Sequence, residues 1–232
     1  MKVEDLESLS DVALLAGIES ASRERLLRHA YLQRFPAQVE LVGEGDPADF
    51  LHVVVDGRVE AYSHWRDKET TIAVLGRGDS FIMAAVVTDR PNLQSARTLE
   101  SSRILLIPAE IVREVFAADH VFAQNVAFEL ARSYRAVIKE LKNQKVRSAI
   151  ERLGAWLLHE DERTGGHGVF DLPFDKKVLA ARIGVQPEVL SRTFASLAAY
   201  GVTVSGKRVT IDPKGGLCKL AGPSKLLDDP QY

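Results

Sequence analysis

Short alternating runs of apolar and polar residues, separated by glycine, fill residues 31–108. The runs are rich in β-branched and aromatic residues, and the first of them has a turn signal at Asp56 and Gly57. Closely spaced short strands with turn signals are typical of an antiparallel barrel or sandwich. We therefore predict a β domain with strands in FLHVVVDGRVEAYS (50–63), ETTIAVLGRGDSF (69–81) and SARTLESSRILLIP (95–108).

The pattern changes between residues 119 and 159, where glycine and proline almost vanish. A stripe with steps of three and four residues runs through Phe122, Val126, Leu130, Ser133, Val137 and Leu141. This spacing predicts an amphipathic helix in which the stripe is sustained for over five turns. Such a stripe is usually core, but a helix this long between two compact parts favours pairing with its twin in a homodimer. The predicted dimer interface contains Val126, Leu130, Ser133, Val137 and Leu141.

Two short helices joined by a glycine are predicted after the segment ERTGGHG (162–168). Asp175 stands at the N-cap position of the first helix, which Gly184 ends. Pro187 suits the first position of the second helix. This arrangement is a helix-turn-helix.

The segment GVTVSGKRVTI (201–211) predicts a β-hairpin directly after these helices. Its turn is predicted at Ser205 and Gly206, with Lys207 and Arg208 at the start of the second strand. The hairpin would be the wing of a winged helix-turn-helix, whose second helix enters the DNA major groove.

The second helix offers base-reading chemistry, because spacings of three and four place Glu188, Ser191 and Arg192 on one face. Arg192 matches O6 and N7 of guanine, Glu188 the N4 amine of cytosine, and Ser191 a base edge or a thymine methyl. An ordinary solvated face with a Glu–Arg ion pair is the alternative. The glycine turn, the cap and the wing around this face favour DNA reading.

Phosphate contacts are predicted beside the base-reading face. Gln186 stands at the entrance of the helix, where a backbone phosphate is a closer neighbour than a base, and Pro187 follows it in the predicted DNA-binding set. Lys207 and Arg208 of the wing would bind phosphates without reading sequence.

Composition fits a globular protein with room for two domains: 232 residues, of which 46% are hydrophobic and 27% are charged. Residues 1–144 contain 17 Lys and Arg against 22 Asp and Glu, whereas residues 145–232 contain 13 against 10. The resulting net charges of −5 and +3 suit a C-terminal part that binds phosphates.

Several classes of protein are disfavoured by the sequence. The sequence contains no run of about eighteen apolar residues, so no membrane span is predicted. The N-terminal segment MKVEDLESLSDVALLAGIES lacks the features of a signal peptide. We therefore predict a cytoplasmic protein with no membrane partner. The single Cys218 excludes an intrachain disulfide and an all-cysteine iron–sulfur cluster. An enzyme is not predicted, since the chain has no Gly-rich phosphate loop, no Ser-His-Asp order and no HExxH helix.

The chain resembles the CRP/FNR family of bacterial transcription regulators. The resemblance rests on LVGEGDPADFLHVVVDGRVEAY (41–62), LGRGDSF (75–81) and PEVLSR (187–192). It implies an α+β fold that binds palindromic double-stranded DNA as a homodimer and contacts RNA polymerase. The implied parts are a jelly-roll-like effector domain (10–118), a dimerisation helix (119–144), a winged helix-turn-helix (145–212) and a C-terminal tail (213–232). In the oxygen-regulator branch, a Glu-x-x-Ser-Arg helix goes with a TTGAT-type half-site.

The nucleotide cassette of the family is altered in this sequence. Nucleotide-binding members have Phe-Gly-Glu, in which Glu binds the ribose, and a later Arg-Ser or Arg-Thr, in which Arg binds the cyclic phosphate. Here the matching positions, which would line the effector pocket, are Phe81, Ile82, Met83, Gln94 and Ser95. The phosphate loses its charge-assisted partner, so we predict that cyclic AMP does not bind. Arg90 and Arg97 are the nearest substitutes, at other positions.

The identity of another effector stays open. The apolar segment FIMAAVV suits haem, an aromatic compound or no ligand. DRPNLQSA and QPEVLSR resemble the branch of the dissimilatory nitrate respiration regulator, which implies nitric oxide sensing through haem. His52 is a candidate axial ligand, as are His29, His64 and His120, and each equally fits a core or surface histidine.

Two functions follow. The leading one is a DNA-binding regulator gated by a small effector other than cyclic AMP. The alternative is a ligand-independent regulator whose β domain is only a dimerisation scaffold. Cys218 lies beyond the wing and is predicted to have no function, with a redox role as the alternative.

Overall fold

The computed structural model describes residue 9, residues 12–66 and residues 68–229, and it divides into two compact units, Met1–Ser133 and Tyr134–Tyr232. The predicted α+β class is confirmed. The helices are α1 (Ser20–Arg28), α2 (Met83–Thr88), α3 (Ala109–Ala118), α4 (His120–Val146), α5 (Ala149–Arg163), α6 (Lys176–Ile183), α7 (Pro187–Leu197), α8 (Leu217–Ala221) and α9 (Lys225–Asp228). The strands are β1 (Tyr31–Phe35), β2 (Glu40–Val42), β3 (Phe50–Asp56), β4 (Val59–Trp65), β5 (Lys68–Leu75), β6 (Ser80–Phe81), β7 (Ser95–Thr98), β8 (Ser102–Pro108), β9 (Val169–Asp171), β10 (Val202–Ser205) and β11 (Arg208–Ile211).

The first unit contains two antiparallel four-stranded sheets, ordered β1-β8-β3-β6 and β2-β7-β4-β5. The predicted turn after β3 is present, and it carries the chain from one sheet to the other. Gly57 has φ +88° there, and an added Cβ would lie 2.3 Å from Ser102 Oγ. Only glycine fits this crossing, because any side chain would be both strained and in collision.

Strand β3 shows how the sequence pattern builds the core on both of its faces. Leu51, Val53 and Val55 point to a cluster that also contains side chains of α1, α2, α3 and α4. Val54 points the other way, into a smaller cluster with Phe81 and residues of the second sheet. Side chains alternate along a strand, so a nearly continuous apolar run is buried on both faces.

The first half of α4 corrects the predicted dimer interface. Phe122 and Val126 are fully buried in their own chain's core, and Leu130 packs against the same cluster. Val126 therefore cannot belong to an interface with a second copy. Leu141 lies 19 positions after Phe122, and at about 100° per residue this is five full turns plus about 100°, so the stripe winds around the helix. Its two ends therefore face different surroundings.

The second half of α4 keeps an exposed apolar face. Tyr134, Val137, Ile138 and Leu141 are 68%, 59%, 37% and 49% exposed. Their spacing of three, one and three residues places them on one side of the helix. Ser133 is also exposed.

The second unit has the predicted winged helix-turn-helix, with a three-stranded sheet ordered β10-β11-β9. Helix α5 begins with a capping box, in which the Ser148 amide donates to Glu151 Oε2 over 2.7 Å. The predicted wing turn is wrong by one residue. Ser205 pairs with Arg208, so Gly206 and Lys207 form the two-residue loop and Lys207 lies outside the second strand.

Residues beyond the wing fold back onto the second unit as α8 and α9. In the described part of the chain, no helix combines the length and hydropathy needed to cross a bilayer.

Candidate DNA-binding surface and effector site

The turn between α6 and α7 is fixed by its neighbours. Gly184 ends α6 with φ +73°, and an added Cβ would lie 2.6 Å from Gln144 Oε1. Pro187 occupies the first position of α7, as predicted. Leu190, Phe194 and Leu197 bury the inner face of that helix. This packing leaves only the opposite face of α7 available to a partner.

All five predicted recognition residues on α7 and at its start are exposed: Gln186, Pro187, Glu188, Ser191 and Arg192. The Ser191 hydroxyl donates to the Pro187 carbonyl over 3.1 Å, and Arg192 Nε donates to the Glu188 carbonyl over 3.4 Å. Among the described residues, no ion pair joins the Glu188 and Arg192 side chains. The terminal guanidinium nitrogens of Arg192 are therefore free to form the two-pronged contact that guanine requires.

The wing cations have acidic partners inside the chain. Lys207 Nζ lies 2.9 Å from Asp175 Oδ1, and Arg208 Nη1 lies 3.4 Å from Asp171 Oδ1. All four side chains are more than half exposed, so these pairs contribute little to stability. Asp175 is the N-cap residue of α6, as predicted, but its side chain makes no capping hydrogen bond.

Sequence reasoning missed several residues of this surface. The pairing of β9 with β11 places Asp171 opposite Arg208, and no local sequence signal reveals it. Lys176 begins α6, is exposed, and has its Nζ 5.7 Å from the Phe194 ring centre. Ser196 continues the exposed face of α7 one turn beyond Arg192, as the four-residue spacing would have indicated.

Two of the predicted effector-pocket residues, Phe81 and Met83, are buried in different clusters. Phe81 is buried between the sheets, whereas Met83 is buried in the cluster shared with the helices. Ile82 lies between them with φ +58°, a left-handed conformation that turns the chain into α2. Ser95 is buried and its Oγ accepts from the Glu44 amide over 3.0 Å, while Gln94 is half-buried.

Arg97, a suggested substitute for the missing phosphate ligand, is already neutralised. Its guanidinium makes two hydrogen bonds to Glu69 of 2.8 and 2.9 Å and approaches Glu60 Oε2 to 2.7 Å. Hydrogen bonding to Glu69 raises the pKa of Arg97 above its ordinary value. Glu60 is only 1% exposed, so it depends on this cation.

The Tyr62 ring covers the same guanidinium, with Arg97 Cζ 4.3 Å from the ring centre. The Tyr62 hydroxyl donates to Glu40 Oε2 over 2.6 Å. Burial, followed by this hydrogen bond, raises the pKa of Tyr62 to about 12. The arrangement is a satisfied polar network that holds β2, β4, β5 and β7 together.

Arg90, the other suggested substitute, lies apart from the cassette. It lines an open cavity of about 470 Å³, together with Asp49, Asp89, Glu110 and Arg113. None of the five predicted effector residues lines this cavity. Arg113 Nη1 lies 3.1 Å from Asp89 Oδ1, so acidic groups balance the cations of the cavity.

His52 has the surroundings of a packed core residue. Its ring stacks on Phe81 with 4.8 Å between the ring centres, and Nδ1 lies 3.0 Å from the Phe50 carbonyl. Burial lowers the pKa of His52 to about 4, so the imidazole is neutral. Phe81 covers the ring, which does not fit an open axial ligand to haem.

The other histidine candidates are at the surface. His29 and His120 are exposed, and His64 Nε2 lies 3.2 Å from Glu69 Oε2. No group of three or more His, Cys, Asp or Glu within the described residues is placed to hold a metal ion.

Comparison with known proteins covers both units. Residues 32–119 match the cyclic nucleotide-binding domain, and residues 151–220 match the Crp-like helix-turn-helix domain. The chain belongs to the CRP/FNR family. It is thus a transcription regulator of the CRP/FNR type, with a DNA-binding helix-turn-helix, and the resemblance inferred from the sequence is confirmed.

Similar proteins include two full-length regulators. The CRP-like cAMP-activated global transcriptional regulator of Mycobacterium tuberculosis is 23% identical over 93% of this CRP/FNR chain and 99% of its own length. The cyclic AMP receptor protein of Thermus thermophilus is 29% identical over 80% of this chain and 86% of its own. The structure of FixK2 from Bradyrhizobium japonicum shares the fold, with a TM-score of 0.73 at 21% identity, covering 84% of this chain and 98% of the other. The link to the nitrate respiration branch stays a prediction.

Proposed function

We propose that this regulator binds as a homodimer to a palindromic promoter site with TTGAT-type half-sites, and that RNA polymerase is its partner there. The free, exposed face of Glu188, Ser191 and Arg192 on α7 carries the proposal. Arg192 reads the guanine of each half-site, Glu188 reads a cytosine opposite or beside it, and Ser191 contacts a neighbouring thymine.

The exposed face of α4 supports the homodimer. Tyr134, Val137, Ile138 and Leu141 place four apolar side chains on one side of a helix, in a spacing suited to a coiled coil. A symmetric dimer presents two copies of α7, which matches the symmetry of a palindrome.

Site selection from random DNA tests the DNA proposal. The wild-type protein should select a TTGAT-type palindrome, whereas Arg192→Ala should lose preference at one base pair, at a cost of about 1–3 kcal/mol per half-site. Lys225→Gln, at an exposed position away from α7, is the control and should select the same site as the wild type. Identical preferred sites from the wild type and Arg192→Ala would contradict the assigned role of this face.

We infer that the effector of this regulator is a small molecule other than cyclic AMP. Gln94 stands where the family's phosphate-binding arginine stands, and Arg97 is held by Glu60 and Glu69. A cyclic phosphate entering here would lack a free cation and would face two carboxylates. The similarity to cAMP-activated relatives favours cyclic AMP instead, so a direct measurement of cyclic AMP binding decides between the two effectors.

Calorimetry with cyclic AMP tests this inference. We expect no heat of binding at micromolar concentrations, and micromolar binding would overturn it. A visible absorption spectrum of the purified protein tests for haem, and DNA binding with and without small aromatic ligands tests for the other class.

A ligand-independent regulator is the second candidate. The burial of Phe81, His52 and Met83 favours it, since the chain's own side chains fill the space around the cassette. In that case DNA affinity would be the same with every ligand tested.

A further inference from the structure

The helical path of the second unit bends at Arg147 and Ser148. Helix α4 ends at Val146 and α5 begins at Ala149, so these two residues form an elbow between the long helix and the helix-turn-helix. Arg147 is only 9% exposed although it carries a charge. A buried charge needs a partner. The nearest carboxylate along the chain, Glu151, is hydrogen-bonded by Ser148 and acts on Arg147 through its charge alone.

The partner comes from the C-terminal end of the described chain. Arg147 Nη1 and Nη2 lie 2.6 and 2.7 Å from the two carboxylate oxygens of Asp228, a paired geometry. Arg147 Nη2 also donates to the Gly222 carbonyl over 3.1 Å. Burial acts to raise the pKa of Asp228, but hydrogen bonds from Arg147 and the Ser224 amide outweigh it, so the pKa lies below its ordinary value.

Apolar contacts hold the same segment on α5. Leu217 and Ala221 of α8 are each 2% exposed. An added Cβ on Gly154 would lie 3.2 Å from Leu217 Cδ1 and 3.4 Å from Ala221 Cβ. Glycine at residue 154 therefore lets α8 pack closely on α5, even though glycine inside a helix costs stability.

The elbow is also joined directly to the helix-turn-helix. Arg152 Nη1 donates to the Arg147 carbonyl over 2.7 Å, and its Nε donates to the Ile183 carbonyl over 2.8 Å. Ile183 immediately precedes Gly184, the turn that leads to α7. Hydrogen bonds thus run without interruption from Asp228 through Arg147 and Arg152 to this turn.

We propose that residues 213–229 form a strap that fixes the elbow, and that Arg147 and Asp228 are positioning residues for DNA recognition. In the homodimer proposed above, on which this inference rests, the two α7 helices must lie one turn of DNA apart, about 34 Å. Because α7 lies beyond the elbow, a change in the angle at the elbow changes the distance between the two α7 helices of the dimer. A fixed elbow therefore selects one spacing between half-sites.

Asp228→Asn tests the strap, with Lys225→Gln as the matched control, because Lys225 is an exposed residue of the same helix. Loss of the charge-assisted pair should speed hydrogen exchange of the amides at residues 147–152 by about tenfold or more. The amides of α7 should exchange as in the wild type, and Lys225→Gln should change neither region.

Site selection from palindromes whose half-sites are separated by spacers of different length gives a second measurement. A residue that only stabilised the fold would not change the preferred spacing. The wild type and Lys225→Gln should select one spacing, and Asp228→Asn should accept several spacings with the same half-site sequence. Unchanged exchange and an unchanged single spacing would overturn the proposal.

Two further outcomes are separable. If Asp228→Asn also loosens α7, Leu217→Val, which removes one methylene from the contact of α8 with α5, takes its place with the same expectations. If the wild type selects no palindrome, the homodimer proposal fails, and the exchange measurement alone decides whether the strap fixes the elbow.

Discussion

Arg97 is two residues beyond Ser95 in the altered cassette, yet its guanidinium is enclosed by Glu60, Glu69 and the Tyr62 ring. The sequence shows the charge of Arg97 but not these partners, which come from β4 and β5. The sequence alone therefore showed that the nucleotide-binding Glu and Arg of the family are replaced. It could not show that Arg97 is already paired with two carboxylates. The same limit applies to Asp228, which lies 81 residues from its partner Arg147.

His52 gives a pH-dependent prediction. Its pKa is about 4 in the folded chain against an ordinary value of 6.5, so between these values the unfolded chain binds a proton that the folded chain does not. The contribution of the neutral, buried imidazole to the free energy of unfolding is therefore fully present above pH 6.5, and it falls as the pH drops towards 4. The loss is about 3 kcal/mol at most, from roughly 1.4 kcal/mol per pKa unit. His52→Leu should lose less stability than the wild type between pH 7.5 and 4.5, measured by denaturant unfolding.

His29→Gln is the control for this measurement, because His29 is exposed. It should keep the full pH dependence of the wild type. Parallel stability curves for His52→Leu and the wild type would show that the buried imidazole does not contribute as described.

At the scale of elements, local patterns predicted the helices and strands well, because caps and periodicity are local. Pro187 and Gly184 stand where the sequence placed them. The stripe on α4 was the exception, since it combines a half that faces its own core with a half that faces outward. A step slightly longer than a helical turn produces this drift, and only the packed structure shows where Val126 ends up.

Helix α4 carries a prediction about assembly. Val137→Glu with Leu141→Glu should yield a monomer that no longer binds a palindrome, because two charges would be buried in the proposed interface. Both side chains are exposed within the chain, so the fold should be kept. Sedimentation velocity measures the mass. Ala136→Glu, on the other side of the helix, should stay dimeric, and a dimeric double variant would contradict the interface.

The wing carries a prediction about salt. Lys207→Ala should weaken binding to all sequences similarly and reduce the slope of log K against log salt by about one per wing. Asp175→Asn should act in the opposite direction, since it releases Lys207 from its 2.9 Å pair. Affinity measured from low to moderate salt checks both. A change in the preferred sequence of Lys207→Ala would show instead that this lysine reads bases.

For the whole molecule, the order of its parts was predictable because each part has its own pattern. The strap was not predictable, since α8 and α9 have five and four residues and show no sustained periodicity. The effector was not predictable either, because the cassette shows what has been replaced and not what is bound. Phe81 and Met83 are buried in two different clusters, so these two cassette residues do not line one common pocket.

The aspartates beside the wing have a consequence for how the regulator finds its sites. Asp171 and Asp175 pair with the two wing cations, which the phosphates of any stretch of DNA would otherwise attract. If the wing binds phosphates as proposed, random DNA displaces these carboxylates with no base contacts in return, which lowers its affinity by a small amount. A genome offers millions of such stretches, on the order of 10⁶ or more. Because these stretches are so numerous, even a small loss of affinity for each of them would leave more of the regulator free to bind its promoter.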